Sequence, residues 1–187
     1  MQILGRIALG ALLLVPAAMA SAADADWQAP GPEVGTVFPS LLEAPDQAGQ
    51  QRPVGDRMGA RGVVVAFVRS ADWCPFCKRQ LAELQARIED FRGLGYEVVS
   101  VSHDSVEIVA EFTRAAGIGY AMLADADGAV VESLGLRDTS YPAGTNAHGV
   151  PQPGLFVLDR ERRVIGKHFV RGYRDRPDLE RVLDSLR

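Results

Sequence analysis

"GVVVAFVRSADWCPFCKRQLAEL", residues 62–84, changes its period in mid-course. Its first seven residues, Gly62 to Val68, are apolar and mostly β-branched, as expected for a central strand buried on both faces. From Pro75 the period becomes helical: Cys77, Leu81, Leu84, Ile88 and Phe91 fall at steps of four, three, four and three, on one stripe. Gly93 and Gly95 are expected to end that helix. The join between strand and helix holds Cys74 and Cys77, the only two cysteines of the chain.

Downstream, "YEVVSVS" (Tyr96 to Ser102) reads as a second strand. "HDSVEIVAEFTRAAG" opens with Asp104 three residues ahead of Glu107, a capping-box variant, and predicts a helix closed by Gly117. "YAMLAD" is a third short strand, followed by a turn at "DADG" and a short helix through "AVVESLGL". "RDTSYPAGTNAHGVPQP" has no period, and a loop of that length inside a compact domain tends to be functional. "LFVLD" and "RVIGKHFV" flank a polar turn as an antiparallel hairpin, and "RPDLERVLDSLR" closes the chain as a helix with Pro177 near its start. This order predicts a three-layer α/β sandwich with a mixed central sheet between helices.

The 187 residues, 47% hydrophobic and 24% charged, suit one globular domain of ~150 residues with appendages, large enough to need no disulfide for stability. A formal charge of -4 excludes a broadly basic surface, so nucleic acid is not expected as a partner. At the N-terminus, Arg6 precedes an apolar run from Ile7 to Val15, then Pro16 and the small residues of an A-x-A cleavage site. Residues 1–22 therefore read as a secretory signal, 23–33 as a linker and 34–187 as the domain. The apolar run falls short of the ~20 residues a spanning helix needs, which disfavours a retained membrane anchor. Export to an oxidising compartment such as the periplasm would make a disulfide the resting state of two neighbouring thiols.

Helix geometry places Cys74 at the N-terminal edge and Cys77 one turn in, where two sulfurs can meet. Cys74 is expected to be the accessible sulfur, and unpaired N–H groups with the helix dipole favour its thiolate. Pro75 fits a first turn, whose N–H has no intrahelical partner. These features suit attack by Cys74, a mixed disulfide, and resolution by Cys77. A zinc site is not expected, because His103, His148 and His168 lie far apart and no second cysteine pair exists. As a mere staple, so short a loop would contribute only about 2 kcal/mol. The histidines read as loop or surface residues, and Arg171, Arg174 and Arg176 as a solvated face.

The pattern "WCPFC" after a buried strand resembles the thioredoxin-like superfamily. "VSVSHDSVEIVAEFTRAAGIGYAMLADADGAVVESLGL", with "LFVLD", resembles its redoxin branch, which joins AhpC/TSA-type peroxiredoxins with periplasmic thiol-disulfide proteins. The likeness runs from about Val34 to the C-terminus and implies the thioredoxin-like fold. Peroxiredoxins carry P-x-x-x-T/S-x-x-C, but counting back from Cys74 gives Ala71 and Phe67, and from Cys77 gives Cys74 and Ser70. They also carry an arginine before the late strand, where this chain has Pro153. In the thioredoxin-like oxidoreductases a cis-proline stands there beside the disulfide. The resemblance thus assigns Gln152 and a cis Pro153 to substrate binding, with Trp73 shielding the disulfide. Pro75 and Phe76 are expected to tune its potential through the stability of the Cys74 thiolate.

The resulting expectation is an exported thiol-disulfide oxidoreductase without metal or organic cofactor. Its partners would be protein disulfides or dithiols and an upstream thiol donor or acceptor, with membrane contact only through an electron-donor protein. The alternative is a peroxidase with Cys74 peroxidatic and Cys77 resolving. A third reading, from another class, is a non-catalytic chaperone using the same groove.

Overall fold

The computed structural model describes residues 27–187 except Leu41. The expected signal, residues 1–22, lies outside them, as do the first residues of the expected linker. Among the described residues no helix is long and apolar enough to cross a membrane.

A short antiparallel hairpin, β1 (Glu43–Pro45) and β2 (Gln51–Pro53), comes first. The main strands are β3 (Gly62–Val68), β4 (Tyr96–Ser102), β5 (Ala121–Ala124), β6 (Gly154–Asp159) and β7 (Val164–Phe169). The helices are α1 (Pro75–Ala86), α2 (Ile88–Gly93), α3 (Val106–Ala116), α4 (Ala129–Ser133) and α5 (Leu179–Leu186). The five-stranded sheet runs β5-β4-β3-β6-β7, with β3, β4 and β5 parallel and β6 antiparallel to β3. It is the mixed sheet of the sequence expectation.

Alternation along β3 divides the interior in two. Val64, Ala66 and Val68 face one core with both cysteines, Leu81, Leu84 and the α5 residues Val182 and Leu183. Val63, Val65 and Phe67 face the other, with Val130 and Val131 of α4 and Phe38 of the N-terminal segment. Every residue of β3 is buried, which is why no polar alternation marks it. Gly62 opens the strand because a Cβ there would stand 1.9 Å from the Leu158 carbonyl oxygen.

Two local expectations change and one element is added. The first helix breaks at Arg87, whose guanidinium bonds Asp90 and Glu180 and so ties α2 to α5, while Ile88 and Phe91 stay on the buried stripe. The hairpin β1–β2 escapes sequence reading because three-residue strands are too short to show a period. Its turn is organised by the Asp46 carboxylate, which accepts from the Ala48 and Gln50 N–H groups at 2.9 and 3.0 Å and from Arg52 Nε at 3.2 Å. Helix α3 is capped by Ser105, not Asp104: the Ser105 Oγ accepts from the Ile108 N–H. Asp104 turns inward instead.

Candidate active site

The loop leaving β3 is shaped by buried hydrogen bonds. Asp104, at the end of β4, accepts from Ser70 Oγ and from the Ala71 N–H, both at 2.7 Å. Ser70 Oγ in turn accepts from the N–H groups of Asp72 (2.9 Å) and Trp73 (3.2 Å). The parallel neighbours β3 and β4 thus share one carboxylate at their C-terminal ends, and it folds the chain toward α1.

Cys74 is the N-cap of α1, and its sulfur accepts from the Cys77 N–H at 3.3 Å. The two cysteines form a disulfide across a Cα–Cα distance of 5.2 Å. Both residues are buried, Cys74 1% and Cys77 0% exposed, so exposure does not separate them as expected. Position does: Cys74 lines a cleft of about 570 Å3 with Arg69, Trp73, Phe76, Tyr141 and Tyr173, and Cys77 does not. Pro75 also lines it, at the first turn of α1.

Gln152 and Pro153 are not among the cleft's walls, whose far side is the loop of Tyr141, Thr145, Asn146 and Ala147. The expected cis bond is also absent: no cis peptide occurs among the described residues, so Gln152–Pro153 is trans. The segment is held extended by backbone bonds, Gln152 N–H to Leu136 O at 2.8 Å and Asp138 N–H to Val150 O at 2.9 Å. Trans is the ordinary isomer of an X–Pro bond in a folded chain.

Two arginines stand at the site that sequence reading left out. Arg176, expected on a solvated face, is half-buried, with Nη2 3.2 Å from Cys77 Sγ and 3.9 Å from Cys74 Sγ. Its Nη1 donates to the carbonyls of Tyr173 and Asp175 at 2.5 and 2.8 Å, which fixes the guanidinium against the sulfurs. Burial, with the charges of Arg69 and Arg79, lowers its pKa to about 10, so it is still a cation at neutral pH. Arg171 and Arg174 are exposed, as expected. Arg69, 5% exposed, lies over the rings of Trp73, Tyr141 and Tyr173 at 4.8, 5.0 and 4.5 Å. Its only sequence signal is an arginine directly after a wholly apolar strand. Arg176 gave none, since the contact arises from a C-terminal segment 99 residues from Cys77.

None of the histidines lines the cleft. His103 Nδ1 lies 3.1 Å from the Asp125 carbonyl and His148 Nδ1 3.3 Å from that of Tyr141. His168 sits in β7 within 3.5 Å of Ser185 Oγ on α5.

Residues 34–167 match the family model of the AhpC/TSA family. The chain belongs to the AhpC/TSA family. Two putative peroxiredoxins of Mycobacterium tuberculosis, from strains CDC 1551 and H37Rv, are each 30% identical to it over 121 residues, 65% of this chain and 75% of theirs. Peroxiredoxin Bcp of Escherichia coli K12 is 24% identical over 132 residues, 71% of this chain and 82% of its own. In structure, the peroxidoxin BcpB of M. tuberculosis aligns with a TM-score of 0.68 at 23% identity, covering 85% of this chain and 97% of that one. A peroxiredoxin-like protein from Aquifex aeolicus aligns with a TM-score of 0.72 at 20% identity, covering 84% and 87%. The fold of this AhpC/TSA protein is therefore the thioredoxin-like one, and the protein is an oxidoreductase of peroxiredoxin-like kind.

Proposed function

We propose that this AhpC/TSA protein is a thiol-dependent peroxidase, with Cys74 peroxidatic and Cys77 resolving. This reverses the order of the sequence expectation, which put disulfide exchange first. The relatives named above carry peroxiredoxin or peroxiredoxin-like names, and the position of Arg176 carries the reading. The arginine missing at Pro153 argued against peroxide chemistry, yet a guanidinium reaches both sulfurs from the C-terminal segment. A cation there favours the Cys74 thiolate, together with the N–H groups of the α1 N-terminus.

In the reaction the Cys74 thiolate attacks a peroxide oxygen. The S–O bond forms, the O–O bond breaks, and the alkoxide leaves with a proton as alcohol. Cys77 then attacks the sulfenic sulfur, expelling water and closing the disulfide. Two thiols of a donor reopen it and leave as a disulfide. No hydroxyl stands three residues before Cys74, because Ala71 is there and Ser70 Oγ is committed to Asp104.

Disulfide exchange is the second reading, favoured by one observation: Cys74 and Cys77 already form a helix-terminal pair with Cys74 facing a cleft. Stopped-flow tryptophan fluorescence of the reduced protein separates the two. Peroxidase function predicts oxidation by peroxide far faster than that of a free thiol, abolished in Cys74→Ser and arrested at sulfenic acid in Cys77→Ser. Peroxide reaction at the free-thiol rate beside rapid exchange with a model disulfide would select exchange. Export belongs to the same proposal, supported by the character of residues 1–22. N-terminal sequencing of the protein recovered from periplasm should find Ser21 or Ala23 first, and recovery of the full chain from cytoplasm alone would refute it.

A further inference from the structure

The cleft beside Cys74 is built around a cation that the protein leaves without an anion. Among the described residues the Arg69 guanidinium makes no hydrogen bond or ion pair with a carboxylate or other acceptor, and it lies over the three rings. Its Nε is sealed from solvent without a partner. Arg176 is the second guanidinium at the site. It donates to backbone carbonyls and sulfur, none of them a carboxylate, and each arginine raises the positive potential felt by the other. Ring quadrupoles offset only part of the loss of hydration of a buried charge. The buried Asp104 and Asp138 are turned to other work, Asp104 on Ser70 and Ala71 and Asp138 on Ser140. The cleft therefore holds one guanidinium without an anion among aromatic walls, with Cys74 on the same lining.

We propose that Arg69 is a carboxylate-binding subsite, so that the small reactant meeting Cys74 carries an anionic group that it docks on this guanidinium. Two reactants share that chemistry, the thiol that reduces the disulfide and the hydroperoxide that oxidises the dithiol. For the thiol, the incoming sulfur bonds Cys74 and the Cys74–Cys77 bond breaks. Cys77 leaves as a thiolate beside Arg176. A second thiol then attacks the mixed disulfide at the donor's sulfur, releasing the donor disulfide and reduced Cys74, with two electrons passing to the protein.

The test uses the full oxidised protein and three thiols of similar size: 3-mercaptopropionate, 2-mercaptoethanol and cysteamine. Each rate of disulfide reduction is divided by that thiol's rate on a neutral small disulfide at the same pH, which removes differences in thiol acidity. The anionic thiol should exceed the neutral one by about tenfold, the effect of one charge-assisted contact, and the cationic one should be slowest. Arg69→Met should abolish the order and Arg69→Lys should keep its sign. If Arg69→Met does not fold, propionate added to the wild-type protein must inhibit the anionic thiol selectively. A parallel arm sets a carboxylated alkyl hydroperoxide against a neutral one on the reduced protein. Preference in the thiol arm assigns the subsite to the reductant, in the hydroperoxide arm to the oxidant, and in both to each. No charge preference in either arm, or a preference that survives Arg69→Met, overturns the proposal. The thiol arm reads the disulfide alone, so it stands whether or not the protein proves to be a peroxidase.

Discussion

Arg176 shows how one side chain can set the chemistry of a pair it is remote from in sequence. Its Nη2 is nearer Cys77 Sγ than Cys74 Sγ, 3.2 against 3.9 Å, so its charge acts most on the resolving sulfur. A cation at that distance favours thiolate over thiol. Arg176→Gln should therefore raise the pKa of Cys77, read from thiolate absorbance against pH in a Cys74→Ser background. It should also slow reduction of the wild-type disulfide about tenfold by weakening the leaving group, and Arg176→Lys should restore part of the rate. An unchanged Cys77 titration would show that the guanidinium serves packing alone.

At the scale of elements, the junction of β3, β4 and α1 depends on Asp104. The spacing of Asp104 to Glu107 made Asp104 the expected cap of α3, yet Asp and Ser both cap helices well and Ser105 stands next to it. The neighbouring strand ranked them: parallel pairing of Val68 with Ser102 brings Ser70 and the Ala71 N–H within reach of the carboxylate, leaving Ser105 to cap α3. Asp104→Ala strands the buried N–H of Ala71 and the Ser70 hydroxyl, which should lower stability by about 1–3 kcal/mol in urea unfolding. It should also slow reaction at Cys74, since the loop it shapes carries Trp73 into the cleft wall. Equal loss of stability with no change of rate would confine Asp104 to a structural part.

Across the whole molecule, α5 closes the core that holds the disulfide, packing Leu179, Val182, Leu183 and Leu186 against the face that carries α1. His168 lies under its last turn, near Ser185, and burial lowers the imidazole pKa below its ordinary 6.5. Above that value the ring is neutral in folded and unfolded chains alike and pH has no effect through it. As pH falls below 6.5 the unfolded chain takes up the proton more readily, so stability drops until the folded value is passed. The urea midpoint should thus be lower at pH 5.5 than at 7.5, and His168→Gln should flatten that part of the profile. A midpoint difference unaltered by the substitution would move the cause to another group.

The sequence by itself determined the fold class and the place of the cysteine pair at the join of strand and helix. The apolar run of β3, the stripe of Cys77, Leu81, Leu84, Ile88 and Phe91, and the spacing of the two cysteines are local patterns, readable because strand and helix impose fixed periods. Tertiary structure decided what surrounds that centre. Arg176 reaches the sulfurs from the segment before α5, Asp104 finds Ser70 across two strands, and Arg69 is enclosed by rings from three separate segments. Pro153 takes the trans bond, in a chain paired just before it with Leu136 and Asp138. Such contacts, Arg69 over Trp73 apart, join residues distant in the chain, where no period links them. They exist only because the folded sheet and helices bring those segments together, and they give Cys74 and Cys77 their electrostatic surroundings.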